Sequence, residues 1–333
     1  MRKLNPSNTH WIAFTISLIV AFNFVGCAAL NEAQQKRQER IKKQQKDRYL
    51  TLERPDAQIR ASPDGLKIES DHYVLTFADD LLKHKDFDEI SERQDMGRGA
   101  LVFMESLYKY VHDLFGFEPP KRIRTILHQL YQGTTRLATT QIQYKRSYQN
   151  GEILKVVTGI EMNFPLEMYN QKDVRAHELT HAFTNIYLLP TWFAEGIAVF
   201  VQVEYAKGKS HGKVDLYDDL KLDADGINAA QTWGGHTDAI GAATSSWSYN
   251  YSYSIVSELN KRFGEDFYPE LFRLIEEDKL HQRLPGAMST SMLIYYMGQA
   301  AGQDLVPFFQ DLKFQTRRLT RDEIIKVIKQ ATE

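Results

Sequence analysis

The sequence predicts an α+β fold, with a strand-rich lobe first and a mainly helical lobe after it. Three observations carry that expectation. β-forming runs recur up to Phe164, and apolar residues recur at helical spacing from Val174 onward. The third is mass: 333 residues, 43% of them hydrophobic, are enough for one large domain or two ordinary ones. Composition also excludes some functions. With 41 basic against 43 acidic side chains the formal charge is -2, which does not suit a chain built around nucleic-acid phosphates. Aromatics at 12%, with 19 Gly and 10 Pro, exclude wholesale disorder. A single cysteine excludes an internal disulfide framework and any Cys-rich metal site.

The elements follow in chain order. Arg2 and Lys3 precede an apolar run from Trp11 to Val25 and then Gly26-Cys27-Ala28-Ala29. A basic start, an apolar stretch and small residues make a leader pattern, shorter than the roughly 20 residues a membrane span needs. Phe24-Val25-Gly26-Cys27 resembles the bacterial lipobox, with Phe24 where Leu is usual. The resemblance implies that residues 1–26 are removed and that Cys27 carries lipid. Ala28, which is not Asp, points to an outer-membrane lipoprotein of the cell envelope. A plain secretory leader, or an uncleaved anchor with an incidental cysteine, is the other reading. Residues 27–65 then read as a charged tether, because Asn31 to Arg48 has good helix formers and almost no apolar face to bury.

Compact structure is expected from Leu66. Lys67 to Phe77 is β-rich, Asp88 to Phe115 has a helical period ended by Gly116 and Pro119-Pro120, and Lys121 to Tyr131 alternates like a strand. Ala138 to Tyr148 and Ile153 to Phe164 flank Asn150-Gly151, a hairpin signal. Helices are expected over Val174–Leu188, Trp192–Val203, Tyr253–Phe263, Tyr268–Glu277, Ser289–Gly302 and Asp322–Thr332. The expected division is 66–203 for the strand-rich lobe with its motif helices and 204–333 for the helical lobe.

Chemistry concentrates in His177-Glu178-Leu179-Thr180-His181, inside the first of those helices. Residues four apart on a helix differ by about 40° in direction and 6 Å in height, so both imidazoles project from one face. Two such nitrogens suit one Zn²⁺ at roughly 2.0–2.1 Å each. Glu178, beside the first of them, is placed to reach a water on the metal. Pro190 ends that helix, and Trp192-Phe193-Ala194-Glu195-Gly196-Ile197-Ala198 opens the next, which must pack beside it. A carboxylate at Glu195 completes a two-His, one-Glu site with a fourth position left for water.

This stretch resembles the gluzincin metallopeptidases. His-Glu-Leu-Thr-His is the form found in thermolysin-like enzymes, and Trp-Phe-Ala-Glu-Gly-Ile-Ala looks like the W-x-x-E-G helix of aminopeptidase-type and peptidase MA-like families. The resemblance implies a zincin-like mixed-sheet lobe, one Zn²⁺ per chain on His177, His181 and Glu195, Glu178 as catalytic base, and a peptide or protein substrate. It also implies an edge strand that pairs with extended substrate, for which Ile153 to Phe164 is the candidate. Family members often have Y-x-x-S after the motif, which favours Tyr249 in Ser248-Tyr249-Asn250-Tyr251-Ser252-Tyr253-Ser254 as oxyanion donor. Tyr253 is the next choice and His236 a rival. The remaining histidines after the leader (72, 84, 112, 128, 211 and 281) are scattered and do not read as ligands. Ala300-Ala301-Gly302-Gln303-Asp304-Leu305-Val306-Pro307-Phe308-Phe309 is similar to a G-x-D-L…F-F segment of the same lobe, its Leu and Phe reading as core. One place departs: thermolysin-like enzymes have an acidic residue four after the third ligand, and here it is Val199. Asn185, four after His181, is offered as a related support.

The functional expectation is a zinc metallopeptidase joined to an envelope membrane through the N-terminal lipid, with no nucleic-acid partner. A catalytically silent metal-binding or peptide- or glycan-binding lipoprotein is the alternative, and a zinc hydrolase of non-peptide bonds a third.

Overall fold

The structure, a computed structural model, describes residues 58–83, 89–129, 137–149, 152–217, 242–284 and 286–332. The leader, Cys27, the tether up to residue 57, the Asn150-Gly151 turn, and Trp233 to His236 lie outside the described residues. The first strands are β1 (Arg60–Ala61), β2 (Lys67–Glu69) and β3 (Tyr73–Phe77). Helices α1 (Asp79–Leu82) and α2 (Ile90–Phe115) follow, then β4 (Ile123–His128), β5 (Thr139–Gln149) and β6 (Glu152–Pro165). Together they make a six-stranded mixed sheet in the order β1-β2-β3-β4-β6-β5. β3, β4 and β6 run parallel, and β5 returns antiparallel against β6.

Parallel neighbours need a crossover, and α2 supplies the one between β3 and β4. It buries Leu101, Met104, Leu107, Tyr108, Val111, Leu114 and Phe115, and Tyr73 of β3 donates its hydroxyl to the Met104 carbonyl at 3.1 Å. Gly116 ends the helix at φ 76°, and a Cβ there would stand 2.9 Å from Pro269, so this stop requires glycine on both counts.

The expected edge strand, Ile153 to Phe164, is not an edge. β6 lies between β4 and β5, and β5 is the outer strand. Burial gives the reason. β6 buries Leu154, Val157, Ile160, Met162 and Phe164, while β5, with Gln141, Gln143, Lys145 and Arg146, buries no residue whose exposure is described. Polar, charged strands belong at edges, where solvent takes their outer side.

Among the described residues, every regular element after β6 is a helix. Short α3 (Leu166–Tyr169) leads to α4 (Lys172–Thr184), a 3-10 turn at Asn185–Tyr187, and α5 (Thr191–Glu204). Then come α6 (Ala242–Phe263), α7 (Phe267–Glu277), α8 (Leu280–Arg283), α9 (Thr290–Ala301), α10 (Val306–Asp311) and α11 (Arg321–Thr332). Helix α6 begins well before the expected Tyr253, so the three tyrosines sit on it rather than ahead of it. Its first half is rich in Ser, a weak helix former, but burial of Tyr251, Ser252 and Tyr253 overrides that preference.

Trp192 is fully buried, packs on Phe193, Phe309 and Phe314, and donates Nε1–H to Thr290 at 3.1 Å. It therefore anchors α5 to the C-terminal helices, with Leu305 and Phe309 in the core as expected. Among the described residues no helix is long and apolar enough to cross a membrane.

Candidate metal centre

Two helices build the site. α4 carries His177 and His181 one turn apart, and their Nε2 atoms face each other at 3.0 Å. α5 carries Glu195, whose Oε2 stands 3.3 Å from Nε2 of His177 and 3.4 Å from Nε2 of His181. Tetrahedral ligands roughly 2.0–2.1 Å from a zinc ion lie about 3.3–3.4 Å from one another, so the three atoms have the spacing of three corners around one small cation. Among the described residues this is the one group of His, Cys, Asp and Glu that could hold a metal ion.

The donors also fit in their chemistry. Oε2 of Glu195 is buried and has no hydrogen-bond partner among the described residues. A lone carboxylate oxygen facing two ring nitrogens is costly without a proton or a cation between them. Burial pushes the Glu195 carboxyl up, but the two imidazoles outweigh it and hold it well below its ordinary 4.5. Burial likewise lowers the His181 ring, but Glu195 outweighs it and raises the ring above 6.5.

The signs give a test. A depressed carboxyl contributes stability above pH 4.5 that is lost as pH falls through its folded value. A raised imidazole contributes stability below pH 6.5 that is lost as pH rises through its folded value. Without metal, this pair is therefore most stabilising between those two limits. Metal needs the neutral ring, so below the raised His181 pKa binding must displace a proton and affinity falls about tenfold per pH unit. Chelator-competition titrations from about pH 5 to about pH 8 should show that decline. An affinity flat across the range contradicts it.

Close packing of the helices sets the rest. A Cβ on Gly196 would lie 2.8 Å from the Ser252 carbonyl oxygen and 3.0 Å from its Cβ, so glycine beside Glu195 lets α6 approach α5 backbone to backbone. That contact carries Tyr249 to the centre, its ring 6.2 Å from that of His177. Burial, then the charges of Glu195 and Glu178, push its hydroxyl well above the ordinary 10, so it remains a donor at neutral pH. The other tyrosines are committed elsewhere. Tyr253 donates to Glu204 at 2.8 Å, and Tyr251 donates to the Leu312 carbonyl at 2.9 Å.

Glu178 is buried on α4, and its Oε2 accepts from the Thr140 hydroxyl of β5 at 2.7 Å. The edge strand thus runs directly past this carboxylate, and Tyr144 on the same strand donates to the Asn185 carbonyl at 3.1 Å. The Asn185 amide favours a protonated His181, yet Nδ1 of that ring has no hydrogen-bond partner at ordinary geometry among the described residues. Val199 is fully buried in the core.

Three nearby residues were not foreseen. Thr140 is one, and Gln202 of α5 is another, with Oε1 3.0 Å from Nδ1 of His177. The third is His211, whose ring lies 5.2 Å from that of Tyr249. Asn250 holds it: Oδ1 accepts from the Gly212 N–H at 3.2 Å and faces Nδ1 of His211 at 3.2 Å. Nothing in Gly208-Lys209-Ser210-His211-Gly212 marks it out locally, because its neighbours arrive from α6. No protein-family profile matches this chain, and no curated protein matches it.

Proposed function

We propose that the chain is a zinc-dependent peptidase of zincin type, with zinc held by His177, His181 and Glu195. The observation that carries the reading is the convergence of two imidazole nitrogens and one orphaned carboxylate oxygen at tetrahedral spacing, with Glu178 on the same helix. Two histidines and one glutamate are the donor set of catalytic zinc rather than of closed structural sites. Zinc bound there would lower the pKa of a water towards 7 and polarise a scissile carbonyl.

The chain's own groups supply the other steps. Glu178, held by Thr140, accepts the water's proton at its carboxylate and passes it to the leaving amine. The Tyr249 hydroxyl donates to the oxyanion as the carbonyl becomes tetrahedral. β5 offers an outer strand edge beside Glu178, where an extended peptide can add as a further strand through main-chain hydrogen bonds and with little side-chain preference. An antiparallel edge strand running past the motif helix, with a helical segment after it, supports the zincin reading of this α+β fold. The N-terminal pattern at Cys27 adds a cell-envelope location to the proposal.

The test is cleavage of a mixed peptide library by the zinc-loaded chain, read by mass spectrometry. Zinc-dependent cleavage that stops on chelation and returns with zinc is expected. A zinc-loaded chain that cuts no peptide in the library contradicts the peptidase reading and favours a silent binding protein.

A further inference from the structure

Gln202 is buried, and both ends of its amide are engaged. Oε1 lies 3.0 Å from Nδ1 of His177, while Nε2 lies 3.0 Å from Oγ of Ser210 and 3.5 Å from Oδ2 of Asp173. Which end faces which partner is decided by chemistry. A carboxylate oxygen only accepts, so the end beside Asp173 must be the NH₂. The end beside His177 is then the carbonyl, which also only accepts, so Nδ1 of His177 must carry a proton. A neutral imidazole has one N–H, which leaves Nε2 of His177 as a bare lone pair turned towards Nε2 of His181 and Oε2 of Glu195.

We propose that Gln202 is a positioning residue of the metal centre: read by Asp173 and Ser210, it locks His177 in the one tautomer and ring orientation that can bind metal. The inference rests on the metal-centre reading above and concerns this chain's departure from the expected pattern. Position 199, which is acidic in thermolysin-like enzymes, holds a core valine here, and Gln202 stands further along the same helix.

The surroundings are built for this contact. Asp173 lies in the first turn of α4, Gln202 near the end of α5, and Ser210 on the segment that follows. Gly208 brings that segment in: its N–H donates to the Gln202 carbonyl at 3.0 Å, and a Cβ on it would lie 3.0 Å from Asp173 and 3.1 Å from Gln202. A neutral amide also differs from a carboxylate in charge. It orients the ring without adding a negative charge beside His177, so a cation bound there would keep more of its pull on water and carbonyl.

The experiment measures zinc affinity by chelator competition on the full chain and the protonation of His177 nitrogens by ¹⁵N NMR without metal. Gln202→Leu keeps the bulk and removes the acceptor, and zinc affinity should fall about 10- to 100-fold. Gln202→Glu combined with Asp173→Asn restores an acceptor at 202 and donors at 173 while avoiding two adjacent carboxylates. Its affinity should return to the wild-type level or exceed it. Affinity of Gln202→Leu equal to wild type, or a paired variant as weak as Gln202→Leu, overturns the proposal. Should Gln202→Leu fail to fold, the paired variant and the NMR measurement still decide. In metal-free wild type Nδ1 of His177 is expected to carry a proton, and a bare Nδ1 overturns the role of Gln202. The two readings fail separately. A wild-type chain that binds no zinc sinks the metal centre, while the NMR result judges Gln202 whether or not zinc binds.

Discussion

Replacing Glu178 by Gln should leave zinc bound and lower kcat/KM about 100- to 10,000-fold, the range for removal of a general base. That corresponds to about 2.7–5.5 kcal/mol of lost transition-state stabilisation. The substitution is nearly isosteric, and the new amide oxygen can still accept from Thr140, which now holds Oε2 at 2.7 Å. Fold and metal centre should therefore be undisturbed, since none of the three converging donor atoms belongs to residue 178. Equal zinc content and equal thermal stability, with turnover on a peptide found in the library assay nearly gone, is the expected outcome. Turnover unchanged in Glu178→Gln would mean that another group moves the proton, and the mechanism would be wrong at its first step.

The second large effect concerns the oxyanion. Tyr249→Phe keeps a ring packed near His177 and removes only the hydroxyl, so kcat should fall about 100- to 1,000-fold with KM little changed. Tyr253→Phe provides the contrast. Its hydroxyl is already given to Glu204, so its removal should cost about 0.5–1.5 kcal/mol of stability and little activity. Steady-state kinetics on both variants, with melting curves alongside, separate the two roles. A large loss in Tyr253→Phe with none in Tyr249→Phe would reverse the assignment.

Local spacing makes part of this site legible in the sequence alone. His177 and His181 are one helical turn apart whatever surrounds them, and a helix starting after Pro190 must lie near the one before it, which brings Glu195 close. Tyr249 was favoured over Tyr253 on motif position alone, and only the packing of Gly196 against Ser252 shows why that turn of α6 reaches the centre. The roles of Thr140, Gln202 and His211 were not legible in the sequence. They meet their partners across long stretches of chain: Thr140 and His211 stand in polar segments with no period to betray them, and Gln202 interrupts the apolar run Val199-Phe200-Val201-Gln202-Val203 without showing which group it meets. The edge strand was misplaced because the hairpin signal shows that two strands pair but not which of them faces outward. The polarity of Thr139–Gln149 held that answer, since an inner strand buries more of its side chains than β5 does.

The most direct test of the whole account is zinc itself: the metal content of the purified full-length chain by elemental analysis, with X-ray absorption at the zinc edge to identify the donors. One zinc per chain is expected, with two imidazole nitrogens at about 2.0–2.1 Å and an oxygen-donor remainder. A folded chain that takes up no zinc, or holds it without imidazole ligands, would contradict the metal centre at His177, His181 and Glu195.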